Sequence, residues 1–386
     1  MSGKIRCLAA LMALAALSAY GRGLFDSEAD FLWELSDDGS SVIITEYTGS
    51  GTDIWIPPRI QGLPVTGIGD HAFSETGMGS GFVQAGRQFT SVVIPGTVTR
   101  IGQEAFRGSL LAHVAIPPSV EYIDLAAFCS NRLSRVTIAN GATRIGAWAF
   151  CCNQITSVCF GSNVTAIGEG AFNDNQLAEV SIPGSVTSIG EEAFAGNQLT
   201  SVTLAEGVSY IRGWAFEGNL LTTIDIPESV TYIGDMAFAN NRLTNVAIPD
   251  GITAIGGAAF AGNELASVAI PDSVTAIGDM AFAANLLTAV AIPYNVTHIG
   301  TAAFAMNPLL RVTIGSDVVI GGALPYFEID IFSTSFARFY ERMGRMAGTF
   351  LYTSGVWSVE FRGQVAENRD KTEHKPVTDG TTAAAH

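Results

Sequence analysis

The sequence predicts a mainly β repeat solenoid: a right-handed parallel solenoid of about 11 units of 22 residues, capped at both ends. Three observations predict it. The dipeptide Ala-Phe recurs with Phe at 73, 106, 128, 150, 172, 194, 216, 238, 260, 282 and 304, and every interval after the first, which is 33, is 22. A column of Asn follows at 131, 153, 175, 197, 219, 241, 263, 285 and 307. The 386 residues include 42 Gly but only 15 % charged residues, which favours turns and short strands over long helices. A 22-residue unit is too small to bury its own apolar face, so stacked neighbours must supply the core.

The elements follow in chain order. Lys4 and Arg6 precede an apolar run from Cys7 to Ala19, and Ala19-Tyr20-Gly21 offers small residues at the two positions that signal peptidase reads. That run has the length of a signal-peptide core and falls short of the ~20 residues of a membrane span, so residues 1–21 are read as a signal peptide. Residues 22–53 form an N-terminal cap. Its alternating segments 31–35 and 42–47 read as a hairpin around Asp37-Asp38-Gly39, with Trp33 over the first rung. The repeats occupy 54–314. Their first unit is enlarged by Gln61-Gly62-Leu63-Pro64, and the long first interval holds a glycine-rich excursion with Gly77, Gly79, Gly81 and Gly86. Residues 315–362 form the C-terminal cap: a helix over 335–345 presenting Phe336, Phe339, Tyr340 and Met343, then a hairpin over 350–361 turning at Ser354-Gly355. Residues 363–386 are polar, lack aromatics and are expected to be disordered.

Where one unit, residues 182–203 for example, meets the next, Leu199, Val202 and Leu204 follow an L-x-x-V-x-I spacing that reads as the regular strand. Ile-Pro ends that strand, because Pro donates no ladder bond. Val186, Ile189 and Ala193-Phe194 then point inward from a return limb. The limb is read as a short strand followed by a turn of 3₁₀ or α-helix. The Asn amides are expected to form an internal ladder satisfying backbone groups before each strand.

This unit resembles the treponemal-type, BspA-like leucine-rich repeat, whose units end in Ala-Phe followed by Asn or Cys. In common leucine-rich repeats the Asn follows the strand; here it precedes Leu199 by two residues, as in the BspA-like class. The resemblance spans roughly residues 54–362, and the stretches Phe339-Tyr340, Ala347-Gly348-Thr349 and Trp357-Ser358 are similar to the closing segment of spirochaete members. It implies a leucine-rich-repeat-like solenoid in a secreted or surface protein. Some family members act as adhesins for host matrix proteins or neighbouring bacteria, and the resemblance implies no enzyme activity.

Composition bounds the function. A formal charge of −16 repels phosphate backbones, which argues against nucleic-acid binding. Five His and five Cys are too scattered for a zinc ribbon or iron–sulfur protein. No P-loop, nucleophile elbow or zinc-protease motif is present, and no carboxylate column stacks through successive units as a calcium solenoid requires. The expectation is a secreted or cell-surface protein without enzyme activity, cofactor, metal or membrane span, which binds host-matrix or bacterial surface proteins as an adhesin. The alternative is a periplasmic or envelope scaffold with no host ligand.

Two local sites stand out. Tyr210 and Tyr232 share one position in adjacent units, and Trp214 and Met236 share another; exposed together, these four make a contiguous partner-binding patch. Trp148 and Tyr122 form a smaller echo. The alternative has the rings lying flat over neighbouring units as outer packing. Cys129 and Cys151 also share a position in adjacent units. Stacked rungs place such residues roughly 5 Å apart, within reach of a disulfide, the alternative being two small buried thiols. The outward residues of the L-x-x-V-x-I face, such as Ser201 and Thr203, are small and polar, which makes that face a poor source of hot spots.

Overall fold

A computed structural model describes residues 25–74, 89–321, 334–354, 356–361 and 364–367. The expected signal peptide, the glycine-rich excursion and the chain beyond 367 lie outside the described residues. The chain coils into stacked rungs, which build one continuous sheet on one side, a partly paired second side and a column of turns. Twelve short strands, from Leu63–Ile68 and Arg100–Ile101 through Tyr210–Ile211 and Tyr232–Ile233 to Val319–Ile320, line one side. With the two strands of the N-terminal hairpin and Arg59–Ile60, which pairs with Leu63–Ile68, they form one 15-stranded sheet. Its register is strict: Tyr210 pairs with Tyr232 and Ile211 with Ile233. The side chain before each Ile faces out, and the Ile faces the core.

The V-x-I segments on the other side form only short sheets. Arg135–Ile138 pairs with Ser157–Phe160, and Glu179–Ile182 with Ser201–Leu204. Between Leu204 and Ala289 only the isolated bridge Ala247↔Ala269 marks this side. The spacing predicts the reverse, with V-x-I as the regular strand. Proline explains the reversal. Where the last apolar residue is followed by Ala or Gly, as in Arg135–Ile138, Ser157–Phe160, Ser201–Leu204 and Arg311–Ile314, the strand runs four residues. Ala205 shows why: its N–H donates to Ile182 O at 3.1 Å, a bond Pro cannot make. Where Pro follows, as at Pro57, Pro95, Pro117 and Pro293, the strand is three residues long, and at Pro227, Pro249 and Pro271 it is gone. Glu179–Ile182 keeps full length against its proline-free partner.

The turn column also departs from expectation, being neither 3₁₀ nor α-helix. Residues two before and two after each Phe are left-handed, for instance Trp214 at φ 55° and Gly218 at φ 66°. This alternation aims every second N–H group at the next rung. Trp214, Phe216 and Gly218 donate to Asp235, Ala237 and Ala239 carbonyls at 2.8, 2.9 and 3.1 Å. Single left-handed residues are unfavourable for most side chains, so tertiary bonding must hold them.

The core holds them with two ladders. The Phe rings of the Ala-Phe column stack face to face from Phe73 to Phe304, for example 5.5 Å between Phe194 and Phe216 with planes 4° apart. Behind them runs the Asn ladder. Asn197 Nδ2 donates to Phe172 O at 2.9 Å, Phe194 O at 3.1 Å and Ala195 O at 3.3 Å. Its Oδ1 accepts the Leu177 N–H at 3.0 Å. One amide therefore satisfies backbone groups on two rungs, and the pattern repeats from Asn131 to Asn307. At the first interval Ser109 takes the position, its hydroxyl donating to Phe73 O at 2.7 Å.

Both ends are closed. Phe31–Leu35 pairs antiparallel with Val42–Tyr47, and Phe31 and Tyr47 are the buried aromatics there, with Trp33 only partly buried. The insertion in the first unit is a tight hairpin, Arg59–Ile60 against Leu63–Ile68, turning through positive φ at Gln61 and Gly62. At the other end the helix Thr334–Arg342 buries Phe336, Phe339 and Tyr340. The Tyr340 hydroxyl donates to Gly315 O at 2.6 Å and locks the cap to the last rung. Gly348–Thr353 pairs antiparallel with Arg311–Ile314 and with Val356–Phe361. Gln364–Glu367, which composition assigns to a disordered tail, adds a further antiparallel strand, because the hairpin edge offers unpaired backbone groups.

Replacing Asn197 by Ala removes four hydrogen bonds from a buried site. The variant is expected to lose about 3 kcal/mol of unfolding free energy, read from urea denaturation followed by circular dichroism. A loss below about 0.5 kcal/mol, no more than a typical surface substitution, would contradict the ladder's structural role.

Candidate functional site

Equivalent positions of adjacent rungs face the same way, so any surface cluster arises as a column. Tyr210 and Tyr232 occupy the outward position of two paired strands and are 48 % and 49 % exposed. Trp214 and Met236 sit in the left-handed turn position of the same rungs and are half-buried. The four residues thus wrap a corner of the solenoid, with the tyrosines outward and the other two lower in the surface. Trp148, in the earlier rung, behaves differently. Its ring lies over Gly170, where a Cβ would collide with it, and it packs on Ala126, Cys129 and Cys151. Outer packing is therefore the state of Trp148, while Tyr122 remains 48 % exposed.

Carboxylates crowd beside the patch. Glu192 precedes Trp214 by one rung in the left-handed column, and Glu191 lies against Gly213. Burial, then the charges of Glu169, Glu191, Glu217 and Asp174, push the Glu192 carboxyl above the usual range. None of these carboxylates is paired with a cation among the described residues. This cluster is hard to see in the sequence, where the acids stand one or two per unit; only the 22-residue column brings them together.

The cysteines converge as well. Cys129 and Cys151 are disulfide-bonded across adjacent rungs, with Cα atoms 4.8 Å apart. Cys152, unremarked in the sequence pattern, is an exposed free thiol beside them. Burial, followed by Asp174, pushes this thiol upward, and Arg107 opposes the shift.

Other features are structural or shallow. Asp235 and Asp279 line the glycine corner, where they accept the N–H groups of Gly257 and Thr301 at 2.6 and 2.5 Å. A groove of about 780 Å³ runs between the last rung and the C-terminal cap, lined by Ile292, Tyr294, Met346 and Glu360. His71 Nδ1 lies 3.6 Å from Glu104, which also meets Arg107 at 3.0 Å. The outward positions of the V-x-I face carry Ser201 and Thr203, both exposed. No helix among the described residues is long and apolar enough to cross a membrane.

Comparison with known proteins bears on the repeat. A family model described as a BspA type leucine-rich repeat region matches six copies, over residues 76–200, 167–285 and 209–323. The pneumococcal vaccine antigen PcpA is 22 % identical in sequence; the match covers 79 % of this chain and 86 % of that one, at a TM-score of 0.55. A leucine-rich repeat protein of Bacteroides ovatus is 22 % identical, with 78 % and 91 % covered and a TM-score of 0.56. A leucine-rich cell surface protein of Faecalibacterium prausnitzii is 27 % identical, with 77 % and 90 % covered and a TM-score of 0.47. The first two establish the shared solenoid fold. No curated protein matches the chain.

Two outcomes follow from this geometry. Because folding raises the Glu192 carboxyl, the folded chain holds its proton more tightly than the unfolded chain does. Its ionisation therefore costs stability as pH rises through and just above the usual glutamate range. Glu192→Gln should raise the melting temperature at pH 7 and weaken its fall between about pH 4 and 6; an unchanged pH profile would contradict the crowding. The bridge closes a loop of 22 residues, so Cys129→Ala should cost about 3 kcal/mol of unfolding free energy. Denaturant titration of oxidised protein checks this, and an unchanged midpoint would contradict it.

Proposed function

The chain belongs to the BspA-type leucine-rich repeat family, and from that premise we propose that it is an exported, non-enzymatic binding protein, an adhesin for host-matrix or bacterial surface proteins. The expected signal peptide supports export to the cell surface or medium. The observation that carries the binding reading is the in-register pair Tyr210 and Tyr232, two half-exposed rings on neighbouring strands of a rigid sheet. Rigid exposed aromatics are the side chains from which protein interfaces build their energetic centres. Trp214 and Met236 extend the contact around the corner.

The neighbouring carboxylates define the partner's chemistry. Burial, then the charges of Glu169, Glu191 and Glu217, disfavour the charged form of Glu192 in the free protein. A partner presenting Lys or Arg side chains relieves that repulsion and places cations over the aromatic faces. The fixed spacing of the rungs lets such a partner engage several columns at once, so area and repetition supply the affinity.

The test uses protein beginning at residue 22 and an immobilised panel of fibronectin, fibrinogen, laminin, mucin and related bacterial cells. Saturable binding to a panel member is expected. It should weaken at least ten-fold in Tyr210→Ala/Trp214→Ala/Tyr232→Ala, with folding unchanged by circular dichroism, and fall as salt rises. Binding that survives the triple substitution would remove this patch, and no saturable binding to any member would overturn the adhesin reading.

A further inference from the structure

Three sulfurs meet at one place in the turn column. The Sγ atoms of Cys129, Cys151 and Cys152 all lie within 4.8 Å of one another. The bridged pair is buried, Cys129 at 7 % and Cys151 at 4 % exposure, and Trp148 packs over it. Cys152 is the member that meets solvent. Its backbone is pinned in the left-handed conformation, φ 52°, with its N–H donating to Asn173 O at 2.9 Å. An accessible thiol is therefore held beside a buried disulfide by the same ladder that builds the fold.

We infer that these residues form a thiol–disulfide exchange site in which Cys152 is the nucleophile and the Cys129–Cys151 bridge is its resident substrate. Cys152 first gives its proton to water. The thiolate then attacks Cys129 Sγ; the Cys129–Cys152 bond forms while the Cys129–Cys151 bond breaks. The electron pair of the broken bond stays on Cys151 Sγ, which takes up a proton. One disulfide and one thiol exist before and after, so no oxidant or reductant is consumed.

Geometry selects Cys129 as the sulfur attacked. Attack on Cys151 would join consecutive residues, whose Cα atoms are about 3.8 Å apart across a trans peptide, inside the ~4.4 Å lower limit of ordinary disulfides. The chain has no cis peptide among the described residues to relieve this. Ser130 Oγ lies 3.4 Å from Cys129 Sγ. A bridged sulfur carries no hydrogen, so the hydroxyl donates and fixes the acceptor sulfur in place. Asp174 and Arg107 are the charged groups acting on Cys152, and burial with Asp174 outweighs Arg107. The exchange is accordingly slow near neutrality and accelerates as rising pH generates thiolate.

The direct test is Cys151→Ser, which leaves Cys129 and Cys152 as the pair. With glutathione disulfide as the probe, Cys152 takes up one glutathionyl group and Cys129 displaces it, releasing two glutathione molecules in all. Non-reducing peptide mapping should then find residues 129 and 152 cross-linked in most of the protein. Separate modification of the two residues, in a variant that still melts cooperatively, would overturn the inference. Iodoacetamide labelling of the unaltered chain at pH 8 to 9 keeps the question decidable if that variant does not fold. Label is expected at Cys152 and also at Cys151, and at neither Cys129 nor Cys151 in Cys152→Ser. Label confined to Cys152, or spread over Cys129 and Cys151 in Cys152→Ser, would overturn it.

Discussion

Everything in this molecule hangs on one buried amide per rung. The Asn side chain donates to the Phe carbonyl of its own rung and of the rung before, and accepts an N–H from that earlier rung, as Asn219 does with Phe216, Phe194 and Leu199. Those carbonyls belong to a turn that no helix or strand ladder could satisfy, because its residues alternate between right- and left-handed backbone. An unpaired buried carbonyl or N–H costs about 1–3 kcal/mol, so each turn needs a polar side chain at this position, Asn from residue 131 onward and Ser109 before it. The amide in turn fixes the position of the Phe ring three residues earlier, and the rings stack because each rung brings its Phe back to the same place, even across the long first interval, where Phe73 and Phe106 lie 4.8 Å apart. Regular stacking of the rungs is thus a consequence of polar satisfaction in the core.

Surface chemistry follows from the same constraint. Once rungs are identical in length, residues 22 apart become neighbours about 5 Å away, and whatever the outward positions carry is arrayed as a column. Two tyrosines make an aromatic pair, several glutamates make an acidic wall, and two cysteines make a bridge with a third beside it. The tyrosines and glutamates are not needed by the core, which explains how a regular scaffold tolerates an individual surface, whereas the Cys129–Cys151 bridge is itself buried. Burial, then the neighbouring acidic charges, push the Glu192 carboxyl upward, so that its charge is held at a cost in the free protein.

Much of this architecture was legible in the sequence. The Phe and Asn columns need only a period to be seen, and the hairpin at Asp37-Asp38-Gly39 and the helix carrying Phe336 and Tyr340 announce themselves by turn chemistry and apolar spacing. The continuous sheet was not legible, because whether V-x-I pairs depends on whether the following residue on the partner rung has an N–H to give, as Ala205 does for Ile182 and a Pro cannot. The left-handed turn was hidden as well, since Trp, Met, Glu and Ala fill positions where Gly would have signalled positive φ. At the candidate site the columns of Tyr210 and Trp214 could be named, but their unequal exposure depends on how the corner folds. Cys152 went unmarked because its significance lies in its neighbours and not in its own repeat position.

The central claim, that the Asn amide holds adjacent rungs together, is tested most directly by amide hydrogen exchange on Asn219→Ala. The Leu199 N–H, which donates to Asn219 Oδ1 at 3.0 Å, should lose protection, as should the turn residues 194–197 and 216–219, while rungs before residue 170 and after residue 260 keep theirs. Unchanged protection at Leu199 and its neighbours would contradict the account.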